Sequence, residues 1–227
     1  MAAKKKNAQK EDNLELIENS LGRTEQYIEE NQKSISIIIA AIVLIIGGYL
    51  AYQKFYIAPK EQEAQKEVFM AQNYFAQDSF RLALNGDGFN DGFLNIADQY
   101  SMTKVGNLCN YYIGISYLRM GQFDDAITYL DKFDGSDMLV TTMAIGAIGD
   151  AYVEKDDLES AISYYKKAAE RQANDFTSPL FLMKLGLTYE KLGNKEEALK
   201  AYEKIKTDFV KSNEAKRIQK YIERVKL

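Results

Sequence analysis

The hydrophobic pattern divides the chain into one apolar run and a long amphipathic remainder. From Ser34 to Gln53 there are 20 residues without a charge, and the centre reads Ile37-Ile38-Ile39-Ala40-Ala41-Ile42-Val43-Leu44-Ile45-Ile46. At about 1.5 Å rise per residue such a helix spans about 30 Å, the thickness of a bilayer's hydrocarbon core. A helix satisfies its own backbone there, which an open strand cannot do. Tyr49, Tyr52, Phe55 and Tyr56 cluster at the C-terminal edge of the run, where amphipathic rings favour the headgroup layer. A cleaved signal sequence needs a short basic start, a shorter apolar stretch and a small-residue cleavage site. Instead 33 mostly polar residues come first, and Pro59 follows the nearby small residue Ala58. The pattern predicts an uncleaved transmembrane anchor over residues 34–57.

Ahead of the anchor, Leu14, Ile17, Leu21, Thr24 and Ile28 recur at spacings of 3 and 4, the stripe of an amphipathic helix. It reads either as a dimerising or partner-docking helix or as a plain juxtamembrane helix. Gly22 inside the stripe weakens it by about 1 kcal/mol against alanine. Lys4, Lys5, Lys6, Lys10, Arg23 and Lys33 lie before the run, and Lys54, Lys60 and Lys66 after it. That small bias favours a cytoplasmic N-terminus with the larger segment exported.

Beyond the anchor a repeat emerges. Ile113-Gly114-x-x-Tyr117 aligns with Ile148-Gly149-x-x-Tyr152 and Leu185-Gly186-x-x-Tyr189, the glycines 35 and 37 residues apart. Seven residues after each glycine comes a turn residue, Gly121, Asp156 or Gly193. Twelve after it comes an alanine, Ala126, Ala161 or Ala198, and four later Leu130, Tyr165 or Tyr202. A small residue on each of two helices lets them approach closely, a ring fills the space between them, and the turn residue breaks the first helix. Residues 60–84 read as a long helix and Phe89 to Tyr100 as a shorter one, together a degenerate first hairpin. Ile218, Tyr221, Ile222 and Val225 form the stripe of a capping helix over Ser212 to Leu227, which solenoid ends require.

The spacing resembles the tetratricopeptide repeat, a helix–turn–helix unit of about 34 residues. The resemblance implies an all-α fold, a single transmembrane helix followed by an α-solenoid of tetratricopeptide-type hairpins. It divides residues 58–227 into a degenerate hairpin at 60–103, repeats at about 107–135, 142–173 and 179–210, and a cap at 212–227, with residues 1–33 as a cytoplasmic segment. In that family the first helix of each unit lines a concave surface. Here those positions hold Leu108, Tyr111, Ile115 and Leu118, then Met143, Gly146, Asp150 and Val153, then Leu180, Met183, Leu187 and Glu190. The repeats that clamp a chaperone's C-terminal carboxylate carry Lys, Arg and Asn at such places, and none of these positions does. An apolar, methionine-containing groove suits a hydrophobic peptide or a docked helix, unless the N-terminal hairpin covers it.

Composition removes most chemistry. Histidine is absent and Cys109 is the one cysteine, so the commonest general base, a disulfide within the chain and a multi-cysteine zinc site drop out. A net charge of -4 gives no nucleic-acid footprint. The stretch Asn85-Gly86-Asp87-Gly88-Phe89-Asn90-Asp91-Gly92 has Asp91 and Gly92 where a calcium loop wants them, but Phe89 and Asp98 stand where ligands belong. A turn using glycine and aspartate accounts for it better. The expectation is a binding protein, not an enzyme, with no metal and no cofactor.

The order of parts is similar to that of the YfgM-like ancillary subunits of the bacterial Sec translocon. That resemblance implies an inner-membrane protein whose repeats face the periplasm and meet exported chains, translocon subunits or chaperones. A scaffold for another envelope assembly, and a regulator acting through residues 14–28, remain as alternatives, and the same stripe could pair two copies of the chain.

Overall fold

The structure, a computed structural model, describes residues 31–227; the stripe from Leu14 to Ile28 lies outside them. The chain divides into two compact units, residues up to Tyr56 and residues from Ile57 to Leu227. In the first unit residues 31–52 form α1, and a π-helical turn, Gln53–Ile57, follows. Ile37, Ile38, Ile39, Ile42, Val43, Leu44, Ile45 and Ile46 are all exposed. Among the described residues one helix, Asn31–Ala76, has a segment long and apolar enough to cross a membrane.

The second unit is all helix. It comprises α2 (Ala58–Ala76), α3 (Phe80–Asn85), α4 (Phe93–Gln99), α5 (Lys104–Arg119), α6 (Phe123–Lys132), α7 (Val140–Glu154), α8 (Leu158–Glu170), α9 (Thr177–Lys191), α10 (Lys195–Asp208) and α11 (Ile218–Lys226). Each helix packs mainly on its neighbours in sequence, giving the hairpins α5/α6, α7/α8 and α9/α10 in a row. Polar side chains start several helices. Thr103 Oγ1 accepts from the Gly106 amide at 3.0 Å, Asp157 from Ser160 at 3.1 Å and Asn194 from Glu197 at 3.2 Å, satisfying amides that have no partner within the helix.

The first helix of each hairpin ends in the same way. Gly121, Asp156 and Gly193 take left-handed φ of 76°, 60° and 82°. The following amide then reaches back to the tyrosine carbonyl: Gln122 to Tyr117, Asp157 to Tyr152 and Asn194 to Tyr189, each at 2.9 Å. This is the Schellman closure, which gives otherwise orphaned carbonyls a partner. The α2–α3 turn repeats it, with Asp78 at φ 55° and Ser79 donating to Tyr74 at 2.9 Å. In the same register Ala71 takes the glycine's place and Ala83 the alanine's, both fully buried. The first hairpin is therefore a repeat in register whose second helix breaks after Asn85.

Asp87 makes the break. Its carboxylate accepts from the Phe89 and Asn90 amides at 2.8 and 2.7 Å, from Asn90 Nδ2 at 2.9 Å and from the Tyr74 hydroxyl at 2.6 Å. Those donors, Tyr74 first, hold its carboxyl well below the usual range. The Asn85–Gly92 stretch is thus an aspartate-centred turn.

The alanines Ala126, Ala161 and Ala198 are fully buried. On the facing helix, a methyl added at Gly114 would lie 2.5 Å from Leu130 Cγ, and one at Gly149 would lie 2.7 Å from Tyr165 Cε1. At Gly186 it would meet Tyr202 Cε1 more closely still. Each glycine is the floor on which the second helix sets its largest buried side chain. Ile218, Ile222 and Val225 of α11 close the last core, joining Tyr202 and Ile205.

Overpacking costs about 1–3 kcal/mol and alanine returns about 1 kcal/mol of helix propensity. The net cost of Gly186→Ala is therefore up to about 2 kcal/mol, which should lower the thermal midpoint by up to about 8 °C, and the cost should shrink in a Tyr202→Leu background, as a double-mutant cycle measures. Cys109 is fully buried and burial pushes its thiol up to about 12, so a thiol reagent at pH 8 should leave the native protein unlabelled and react once it unfolds.

Candidate functional site

A groove of about 740 Å³ lies between α5, α7 and α9. From α5 come Tyr111, Ile115, Leu118 and Arg119; from α7 come Met143, Ala147, Asp150, Val153 and Glu154. Tyr165 of α8 and Phe181 and Lys184 of α9 complete the floor. No residue of α2, α3 or α4 lines it.

Two close approaches shape that floor. A methyl at Gly146 would fall inside the ring of Phe181, so α7 and α9 meet with nothing between the glycine and the phenylalanine face. Tyr165 reaches past Gly149, stacks beside Phe181 at 6.3 Å and donates from its hydroxyl to Asp150 Oδ1 at 2.6 Å. Lys184 Nζ donates to both Asp150 oxygens, at 2.6 and 2.7 Å. The same ammonium stands 5.8 Å from the ring centres of Tyr165 and of Phe181. Asp150 and Lys184 are each a third exposed, so their pair contributes at most about 1 kcal/mol. Its larger effect is chemical: it neutralises the charge on the groove floor, leaving Arg119 and Glu154 as the other charged groups among the aromatic and aliphatic side chains.

The structure thus brings together Tyr111, Ile115, Leu118, Met143, Asp150 and Val153. Leu108 is half-buried beside them and does not line the groove. The third set goes elsewhere: Leu180 packs on the C-terminal core, Met183 is buried within it and Leu187 stays exposed. Glu190 accepts from the Tyr202 hydroxyl and pairs with Arg224 at 2.6 Å, fastening α11 to α9. Sequence spacing missed Tyr165, Phe181, Lys184 and Arg119. Lys184 lies one residue after Met183, and only the rotation of α9 that drops Phe181 onto Gly146 turns that lysine inward. Glycine at position 146 was the available signal, since a glycine in mid-helix marks a close approach.

Sequence-family models described as tetratricopeptide repeat match residues 109–134 and 147–209. The fold is an α-solenoid of tetratricopeptide-type hairpins. Among solved structures, the chain is similar to a putative kinesin light chain of Podosopora anserina described as having nearly identical TPR-like repeats. The identity is 12%, the TM-score 0.55, and the match covers 73% of this chain and 86% of that one. A second crystal structure, of a substituted form of that protein, matches at 13% identity with the same TM-score, over 73% of this chain and 85% of that one. No curated protein matches the chain. Tetratricopeptide repeats are modules of protein–protein interaction, built to offer extended concave surfaces.

Burial, and then the Asp150 carboxylate, push the Tyr165 hydroxyl well above the ordinary phenol range. Burial and the Glu190 hydrogen bond do the same for Tyr202. A raised folded value means the unfolded chain releases these protons first, so stability present below about pH 10 falls as pH rises beyond it. In alkaline denaturation Tyr165→Phe should flatten that fall, while at pH 7 it costs about 1 kcal/mol through the lost hydrogen bond.

Proposed function

We propose that this chain is a membrane-anchored adaptor, with residues 34–57 in the bilayer and residues 58–227 holding other proteins in the α5–α7–α9 groove. The observation that carries the reading is the groove's chemistry. Tyr111, Ile115, Leu118, Met143 and Val153 offer apolar contact, while the ion pair in the groove floor, Asp150 with Lys184, is satisfied internally. Such a surface favours an apolar helix or extended segment over a charged tail. The long run of exposed isoleucines in α1 supports the anchor.

The order of parts, similar to the YfgM-like subunits, supports a place in the bacterial inner membrane with residues 1–33 cytoplasmic and the repeats in the periplasm. There the groove would receive newly exported chains, translocon subunits or envelope chaperones, and residues 14–28 would serve as a self-association helix.

Photo-crosslinking residues placed at Ile115 and Val153 in intact cells test this, with Glu203 on the outer face of α10 as control. Adducts with translocon subunits or exported chains are expected from the groove and not from Glu203. Adducts only with wall-synthesis proteins would remove the translocon reading, and equal labelling from Glu203 would remove the groove. Protease added to spheroplasts should digest residues 58–227; protection of that segment would reverse the orientation.

A further inference from the structure

The three repeats share an aromatic pair that the last one breaks. In α5/α6 the Tyr117 ring lies 5.6 Å from that of Tyr129, and in α7/α8 the Tyr152 ring stacks on Tyr164 at 5.5 Å. Each pair joins the tyrosine near the end of the first helix to a ring on the second helix, 12 residues on. In α9/α10 the first tyrosine is Tyr189, and the matching position holds Ala201. Where that ring is missing, a cavity of about 490 Å³ opens between α8, α9 and α10. One repeat earlier, with Tyr164 in place, the corresponding space between α6, α7 and α8 is about 220 Å³. Ala169, Leu182, Leu185, Tyr189, Ala201 and Phe209 form the apolar wall of the larger cavity. It shares no lining residue with the α5–α7–α9 groove.

The cavity's chemistry selects its ligand. Lys166 Nζ stands 5.4 Å from the centre of the Tyr189 ring. Lys200 and Lys204 at the rim already pair with Glu197 and Asp208, at 2.7 and 2.6 Å. An entering group therefore meets an apolar, aromatic wall behind satisfied charges. A flat ring fits that description, because it can pack beside Tyr189 as Tyr129 and Tyr164 pack beside Tyr117 and Tyr152.

The N-terminal hairpin presents such a ring. Phe89 is 99% exposed, against 72% for Phe176 and 60% for Phe69. The Asp87 carboxylate accepts from its amide at 2.8 Å, and Gly86 and Asp91 bridge the base of the turn. A ring held in place beforehand loses little freedom on docking. Charge favours the same pairing. Residues 58–103 carry seven carboxylates against three basic side chains, whereas residues 195–227 carry ten basic side chains against six carboxylates. Opposite potentials steer the first of these segments toward the second.

We infer that the cavity between α8 and α10 is a socket for an aromatic side chain, and that Phe89 of a second copy of this chain fills it. Knob and socket lie on different surfaces of one chain, so the contact is head to tail and joins copies into a ring or a row. One ring and its turn cover less area than a permanent dimer interface, so the association is reversible.

The test uses the full chain in detergent micelles, with a benzophenone amino acid incorporated at position 89 and an affinity-tagged second chain as acceptor. Light should give a covalent dimer whose cross-link maps by mass spectrometry to residues 166–173 or 197–209 of the acceptor. Ala201→Tyr in the acceptor restores the missing ring; it should leave the thermal midpoint unchanged or raised and lower the adduct yield about fivefold. Ala173→Glu, at the exposed mouth of the socket, should lower the yield without touching the core. Absence of a dimer, a cross-link that maps elsewhere, or a yield that either substitution leaves unchanged overturns the proposal.

Discussion

The repeat unit depends on how closely two helices can approach. Gly114, Gly149 and Gly186 carry no side chain where Leu130, Tyr165 and Tyr202 cross them. A glycine in a helix interior costs about 1 kcal/mol against alanine. Burying a leucine or aromatic side chain returns about 1.5–3 kcal/mol, so the close crossing wins in each repeat. The first hairpin shows the converse. Where Leu130's counterpart is Asp87, no large apolar side chain stands at that place, and Ala71 replaces the glycine. The helix that would have carried the ring ends at Asn85 and gives way to a turn.

The same kind of crossing, made between repeats, shapes the groove. Phe181 over Gly146 draws α9 against α7, and that approach brings Lys184 to Asp150, whose carboxylate also accepts from Tyr165 within the α7/α8 hairpin. The polar pair and the aromatic floor are consequences of one contact, and neither belongs to a single repeat. Groove chemistry in this solenoid is set at the junction of two hairpins, where it can change with one side chain without disturbing either hairpin's core.

The edges follow from the caps. Helix starts need acceptors and helix ends need left-handed residues, so polar groups and glycine collect at both edges for reasons of folding alone. Beside three of those caps, Asp137, Asn174 and Ser212, the loops that follow each hairpin also leave Leu139, Phe176 and Val210 exposed. An exposed phenylalanine taken singly is ordinary surface; three such loops in a row make a face.

By itself the sequence determined the local structure. The uncharged run from Ser34 to Gln53, the spacing of Gly114, Gly149 and Gly186, and the turn residues Gly121, Asp156 and Gly193 specify helix, hairpin and repeat, because each acts within about one helix turn or across one hairpin. It also carried the α5 and α7 parts of the groove, Tyr111, Ile115, Leu118, Met143 and Val153. The tertiary structure decided the rest. Leu180, Met183 and Leu187 sit at equivalent positions, but the last repeat packs on the α11 cap and not on another hairpin, so Met183 is drawn into the core and Lys184 takes the groove. Tyr165 and Phe181 enter from neighbouring helices, and their meeting depends on the angle between hairpins. That angle arises from many side chains packing at once, and no periodicity within one segment records it.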